Sequence, residues 1–309
     1  MKIIFFGTSE FAVASLKAIV ESKHDLRSVV TQPRRPSGRG LQLLPTPAEE
    51  YAKSLGAKVL SYEDVNSKEA LNSLEAENAD VFVVVDFGQI LSDEVLEIPK
   101  FLPINIHASL LPKYRGAAPI QYAIINGERI TGITIMKITK KLDSGDIIAQ
   151  SRVEIKDNDD ALTLTKKLSE KGAELLIRTL DRMEAADIRS VAQEESEAIY
   201  APKLKKEDGL IDWTKKAHSI KNLVRGALSW PTAYTYIEGK ILKILKAELS
   251  VTGTQAEPGV ITELGDRGIV VSCGQGALLI KQLQLEGKKP LQAAEFLRGY
   301  PIKEGIILG

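Results

Sequence analysis

The chain has 309 residues, with 41 Lys and Arg balanced by 41 Asp and Glu, so total charge does not announce a nucleic-acid partner. Its 44% hydrophobic and 27% charged content is that of an ordinary soluble globular protein, long enough for two domains of roughly 100–200 residues. The single Cys273 excludes an intrachain disulfide and any cysteine-cluster metal site.

KIIFFG at 2–7 is a short apolar run that predicts a first core strand. Gly7, Ser9 and Glu10 interrupt it, so MKIIFFGTSEF is too short to be a secretory segment. No apolar run approaches the ~20 residues that cross a bilayer, and a cytoplasmic protein is expected. Residues 9–22 space Phe11, Ala14, Leu16, Ile19 and Val20 as a helix does, and LRSVVT at 26–31 predicts a second strand. TQPRRPSGRGLQLLPTP at 31–47 holds four prolines and two glycines and predicts a long irregular loop. Thr46-Pro47-Ala48-Glu49 is a capping-box pattern with proline at the first helical position, so a helix is expected over about 47–56. A strand at 58–60 and a helix near 67–77 follow. DVFVVV at 80–85 does not alternate, as expected of a parallel strand buried on both faces, and 102–106 predicts another. Strands alternating with helices give an α/β fold with a Rossmann-like, doubly wound, mostly parallel sheet.

Further strands are expected at 131–138 and 146–153, joined by the turn KKLDSG, then a long amphipathic helix over 160–186. The polar, aperiodic stretch 188–207 predicts a linker between a domain at 1–187 and a second at 208–309. The second domain has a helix near 214–228, short β-rich runs at 232–237, 240–248, 258–264, 268–273 and 277–285, and a helix near 291–298. Such spacing suggests a small, OB-like barrel. From Asp208 onward there are 13 Lys and Arg against 10 Asp and Glu, a weak positive excess.

The first βα turn, FFGTSEFAV, has only Gly7 where a dinucleotide fingerprint needs three glycines. No P-loop, nucleophile elbow, H-E-x-x-H or C-x-x-C is present, and no metal is expected. What remains is INIHASLLPKYRGAAPI at 104–120. Asn105 and His107 are two apart on a predicted strand and project to one face, at the carboxyl end where open α/β sheets bind ligands. Together they could donate to an oxyanion, or be a satisfied polar pair that ends the strand. Asp143 in KKLDSGDII could be plain turn chemistry, or could orient His107 and accept a proton if the turn folds back. Arg34, Arg35 and Arg39 on the long loop suit phosphate contacts, or a solvated surface loop. Lys203, Lys205 and Lys206 lie among Glu194, Glu195, Glu197 and Glu207 and read first as a solvated segment.

These stretches resemble the folate-dependent formyltransferases. FFGTSEFAV, TQPRRPSGRG, INIHASLLPKYRGAAPIQ, TGITIMKITKKLDSGDII, YAPKLKKEDGLIDW and LVRGALSWPTAYT carry the likeness over essentially the whole chain. SLLPKYRGAAPI is specific to that family. The GRG loop and YAPKL…DGLIDW narrow it to the methionyl-tRNA formyltransferases. The resemblance implies 10-formyltetrahydrofolate as formyl donor, no metal, and initiator methionyl-tRNA as acceptor. Asn105, His107 and Asp143 match its catalytic trio. Ser109, Leu110, Leu111 and Pro112 match its folate-binding segment, and Phe87, Gly88, Gln89, Ile90 and Leu91 should also line the folate. Arg39 falls at the key position of its tRNA-entering loop, and Arg34, Arg35, Lys203, Lys205 and Lys206, basic residues noted above, are the further candidates for tRNA contact. Where the family commonly reads Ala-Tyr-Gly, this chain has Asp86-Phe87-Gly88, and Leu41-Gln42 replace two lysines after GRG. A monomer is expected. Sister enzymes acting on glycinamide ribonucleotide or an amino sugar nucleotide, or a hydrolase of the same folate, would share the trio.

Overall fold

The computed structural model describes residues 1–37, 42–251 and 256–309. They form two compact units. The first comprises Met1–Gly116, Ile130–Glu154 and Thr165–Tyr200, and the second Ala117–Arg129, Ile155–Leu164 and Ala201–Gly309. The stretch 188–207 therefore divides between them, with 188–200 in the first unit and 201–207 in the second.

In chain order the elements up to residue 184 are β1 (Lys2–Gly7), α1 (Glu10–Val20), β2 (Asp25–Thr31), β3 (Arg35–Ser37), β4 (Gln42–Leu44), α2 (Pro47–Ser54), β5 (Val59–Ser61), α3 (Lys68–Ala76), β6 (Val81–Val85), α4 (Asp93–Leu96), β7 (Ile104–His107), α5 (Pro119–Ile125), β8 (Ile130–Lys137), β9 (Ile147–Glu154) and α6 (Ala161–Glu184). The first unit is built on a seven-stranded sheet in the order β5-β2-β1-β6-β7-β8-β9. The first five strands are parallel, as their apolar runs and intervening helices require. All five residues of β6 are buried, and Phe6 packs edge-on against Phe87 at 5.3 Å in the core beside Ile4, Val30, Leu74 and Phe82. The chain then reverses, and β8 and β9 add in antiparallel fashion.

Local chemistry explains several boundaries. The Thr46 hydroxyl accepts from the Glu49 amide at 3.1 Å and starts α2 with Pro47 in its first turn. Glycine is needed at Gly7, the last residue of β1, because a Cβ there would stand 2.8 Å from that of Ala12 in α1. Three elements depart from expectation. The loop at 31–47 is not wholly irregular, since Arg35 pairs with Leu44 and Pro36 with Leu43 in the β3–β4 hairpin. The short helices α4 and α5 also occupy stretches to which the sequence reading assigns no helix.

The second unit adds α7 (Ala217–Gly226), β10 (Tyr234–Ile237), β11 (Lys240–Leu249), β12 (Ile261–Gly265), β13 (Gly268–Ser272), β14 (Ala277–Leu285), β15 (Leu291–Gln292) and α8 (Ala293–Gly299). Its strands are antiparallel in the order β10-β11-β14-β13-β12, with β15 beside β14, so β10 and β12 are the end strands of the path. Ile220, Val224, Leu242, Ile244, Val271, Leu278 and Phe296 fill its core. Cys273 lies in the same core, where burial pushes its thiol up to about 11. This is the antiparallel, strand-rich second domain the sequence implies.

Candidate active site

β7 is the strand where the sheet changes sense. It pairs in parallel with β6 through Val84 and Asn105, and antiparallel with β8 through His107 and Thr134. Asn105 and His107, two apart on it, share a face. His107 is buried at 6% exposure, whereas Asn105 is half-buried and makes no side-chain hydrogen bond among the described residues. The Asn105 amide is thus available to a ligand.

Lys137 pairs with Ile104 at the start of β7, yet Asp143 meets His107 at its end, so the β8–β9 turn doubles back over this face. Asp143 Oδ2 lies 3.5 Å from His107 Nδ1, a separation of ionic contact and longer than a firm hydrogen bond. The same oxygen accepts from the Gly116 amide at 2.8 Å. On the other side of the ring, Nε2 lies 2.8 Å from the Tyr114 carbonyl. A carbonyl only accepts, so Nε2 carries a hydrogen and Nδ1 is the nitrogen left to face the carboxylate. Tyr114, rather than Asp143 alone, therefore sets the tautomer. Tyr114 and Asp143 both adopt left-handed backbone, at φ of 63° and 48°. That conformation is uncommon for residues with a Cβ and clusters at functional sites. Gly145 completes the turn because a Cβ there would run into the Lys137 carbonyl.

The wall beyond His107 is held from inside. The Thr134 hydroxyl donates to the Ser109 carbonyl at 2.7 Å and accepts from the Leu111 amide at 3.1 Å and the Gln150 amide at 3.0 Å. Gln150 also donates to the Leu111 carbonyl at 2.9 Å. The Ser109 hydroxyl donates to the Lys113 carbonyl at 2.6 Å. Of the expected folate-binding residues, Ser109 and Leu111 are thus spent on shaping the loop, while Leu110 and Pro112 are half-buried. A similar division holds after β6. Phe87 and Leu91 belong to the core, and Gln89 bridges the Val65 amide and the Tyr62 carbonyl. Gly88 has the φ of 91° that favours glycine, and Ile90 is 81% exposed. Asp86 is exposed at φ 46°.

The basic candidates are distributed. Arg34 is not a free cation. Its guanidinium grips buried Glu49 through Nη2 at 2.6 Å and Nε at 3.0 Å, and Lys53 joins at 2.7 Å. The Arg34 hydrogen bond holds the Glu49 carboxyl down at about 2. Arg35 is exposed on β3, and Arg39 lies outside the described residues. Lys203, Lys205 and Lys206 belong to the second unit, are exposed, and have no ion pair among the described residues. No group of His, Cys, Asp and Glu among the described residues could hold a metal ion.

Sequence reasoning missed Tyr114, Gly116, Thr134 and Gln150. Three act through backbone groups or a buried strand hydroxyl, for which residue type is no guide. The fourth works from the middle of β9, 39 residues from its partner.

The site sits in a recognisable family. The formyl transferase domain model matches residues 1–180, and the formyl transferase C-terminal domain model matches 203–301. A methionyl-tRNA formyltransferase of Geobacter metallireducens is 47% identical over 309 residues, covering all of this chain and 99% of that protein. One from Caldanaerobacter subterraneus is 46% identical over the full length of both. Among solved structures, WlaRD, a sugar 3N-formyl transferase crystallised with dTDP and 5-N-formyl-THF, superposes at TM-score 0.68 with 21% identity over 94% of this chain and 99% of its own. HypX from Aquifex aeolicus in complex with tetrahydrofolic acid superposes at TM-score 0.65 with 20% identity, and this chain spans half the length of that protein. With both domain models matched and near-half identity from end to end, the chain belongs to the formyl transferase family, in its methionyl-tRNA formyltransferase branch.

Proposed function

We propose that this protein transfers the formyl group of 10-formyltetrahydrofolate to the α-amino group of initiator methionyl-tRNA, the formylation that precedes translation initiation. The observation that carries the reading is the meeting of Asp143 with His107 on the face that also presents the unpartnered Asn105 amide. That is a donor, an imidazole and a carboxylate at the carboxyl end of a central strand, in a chain of this family. Residues 1–187 carry the three proposed catalytic groups, and 188–207 lead from them to the OB-like, tRNA-binding domain at 208–309. Translation initiation goes with a cytoplasmic location, and no helix among the described residues is long and apolar enough to cross a membrane. A monomer suffices, because all three groups come from one chain.

The methionyl amine attacks the formyl carbon and an oxyanion develops on the formyl oxygen. The Asn105 amide donates to it. His107 lies between two acceptors, the Tyr114 carbonyl and the Asp143 carboxylate, and supplies positive charge beside the oxyanion when both ring nitrogens are protonated. Oδ2 of Asp143 is occupied by Gly116 and faces His107, which leaves Oδ1 to take the proton of the attacking amine. Collapse of the tetrahedral centre breaks the bond to the folate nitrogen, which regains a proton, and releases formyl-methionyl-tRNA. The folate lies along 87–91 and 109–112. Ile90, Gly88, Leu110 and Pro112 face it, while Phe87, Gln89, Leu91, Ser109 and Leu111 hold those loops in shape. Lys203, Lys205, Lys206, Arg35 and Arg39 contact tRNA phosphates, and Arg34 joins them on leaving Glu49.

The test is formation of formyl-methionyl-tRNA from purified protein, 10-formyltetrahydrofolate and methionyl-tRNA. His107→Ala should lower kcat by roughly 10²–10³. Formate release without product, or formylation of an amino sugar nucleotide instead, would reassign the acceptor. A fully active His107→Ala variant would remove the assignment of the site.

A further inference from the structure

The turn that carries Asp143 raises a physical question. It doubles back over the sheet, its central residue is left-handed, and Lys141 and Leu142 are exposed. Something must hold it there for the carboxylate to face His107. The holder comes from a segment 50 residues further along the chain. Gln193 donates its side-chain amide to the Asp143 carbonyl at 2.9 Å and to the Gly145 carbonyl at 2.8 Å. Both hydrogens of one NH2 group thereby clamp the two ends of Asp143-Ser144-Gly145. The Gln193 side-chain oxygen accepts from Arg115 Nε at 3.0 Å. Carbonyls only accept and a guanidinium only donates, so every partner dictates the same amide orientation and a flipped amide would lose all three bonds.

Arg115 is a full-size cation at 1% exposure, the largest fully buried side chain among the described residues. Its Nη1 donates to Glu195 at 2.8 Å, and the other oxygen of Glu195 takes the ammonium of Lys141 at the start of the same turn. The main chain at Arg115 is fixed as well, its amide donating to the Ile199 carbonyl at 2.8 Å. The next residue is Gly116, whose amide holds the Asp143 carboxylate itself. One buried arginine thus sits between the bond that grips the carboxylate and the bonds that grip its turn. Val191 brings the segment into place by exchanging backbone hydrogen bonds of 2.8 and 2.9 Å with Ile147 at the start of β9.

We propose that Gln193 is a positioning residue for formyl transfer, clamping the turn that presents Asp143, and that Arg115 holds Gln193 in the clamping orientation. The inference rests on the role given to Asp143 above. Gln193 touches no reacting group. It acts by keeping the carboxylate within reach of His107 and of the incoming amine, where misplacement by about 1 Å can cost 10²-fold.

The experiment is a double-mutant cycle on the full-length protein with Gln193→Ala, Asp143→Asn and both together. The readouts are kcat, KM for the formyl donor, and the thermal midpoint. Gln193→Ala should lower kcat by roughly 10–100-fold, with the donor KM and midpoint close to wild type. The double variant should be no slower than Asp143→Asn alone, because a residue acting only through Asp143 has nothing left to position. Near-normal kcat in Gln193→Ala beside a crippled Asp143→Asn would overturn the inference and leave the proposed function standing. Multiplied losses in the double variant would also overturn it. A fully active Asp143→Asn would remove the role of Asp143 and this inference with it. If Gln193→Ala lowers the midpoint substantially, Gln193→Glu decides. It keeps the size and the Arg115 bond but sets carboxylate oxygen against both carbonyls, so it must show the same kcat loss, and full activity would refute the clamp.

Discussion

Thr134→Val removes one oxygen and replaces it with a methyl of nearly the same size, keeping the β-branching that suits a strand. Its effect should nonetheless be large. Thr134 is fully buried on β8, and among the described residues its hydroxyl is the only partner of two interior backbone groups, the Ser109 carbonyl and the Leu111 amide. Gln150 keeps its bond to the Leu111 carbonyl, so it does not add to the loss. A buried backbone group left without a partner costs about 1–3 kcal/mol. Two such groups give about 2–6 kcal/mol, with the lower part of the range applying if the 108–112 loop shifts to admit water. Urea denaturation followed by near-ultraviolet circular dichroism should read that destabilisation. Hydrogen exchange should show the Leu111 amide losing at least about tenfold of its protection. Because this loop is the proposed folate wall, the donor KM should rise more than kcat falls. Thr134→Ser, which keeps the oxygen, should stay close to wild type. A Thr134→Val protein within about 0.5 kcal/mol of wild type, with Leu111 still protected, would refute the idea that one hydroxyl organises the loop.

Two other perturbations have defined signs. The Glu49 carboxyl is depressed from 4.5 to about 2, chiefly by its hydrogen bonds from Arg34. Its stabilising contribution is therefore complete above pH 4.5 and is lost as pH falls toward 2. Glu49→Gln should flatten the acid limb of the stability–pH curve, and an unchanged limb would count against the pair. Replacing Lys205 and Lys206 together by alanine should raise the KM for methionyl-tRNA and reduce its dependence on salt by about two phosphate contacts, without altering the donor KM. A salt dependence identical to wild type would show that these lysines touch no phosphate.

Much of the scaffold is legible because its chemistry is local. The Thr46–Glu49 cap, the fully buried VFVVV strand and the helical spacing of Phe11 through Val20 each depend on neighbours a few residues away, and each appears where expected. Three-residue strands such as β3 and β4 carry too few positions to show alternation, and the prolines of that stretch disguise the hairpin. Pro119 was available as a sign of α5 at its first position. The site divides along the same line. Asn105 and His107 stand out because polar groups are rare on a buried strand. Asp143 is ambiguous without its partner, since every Asp-Ser-Gly turn looks alike. The Tyr114 carbonyl and the Gln193 clamp are invisible in principle, because a main-chain oxygen has no letter and residues 143 and 193 share no period.

The buried arginine also bears on where this protein can be cut. The matched N-terminal model ends at residue 180, and the composition suggests a boundary at 187. A fragment trimmed at either point would keep Asn105, His107 and Asp143 and the nine strands of the first unit among the described residues. It would also leave the guanidinium of Arg115 without Gln193 and Glu195. During synthesis the same holds for a nascent chain. The strands through β9 precede the segment through Ile199, so the proposed clamp on Asp143 is complete only when that later segment leaves the ribosome. The working boundary of the catalytic module lies beyond the last element of its sheet, at the stretch that closes over Arg115.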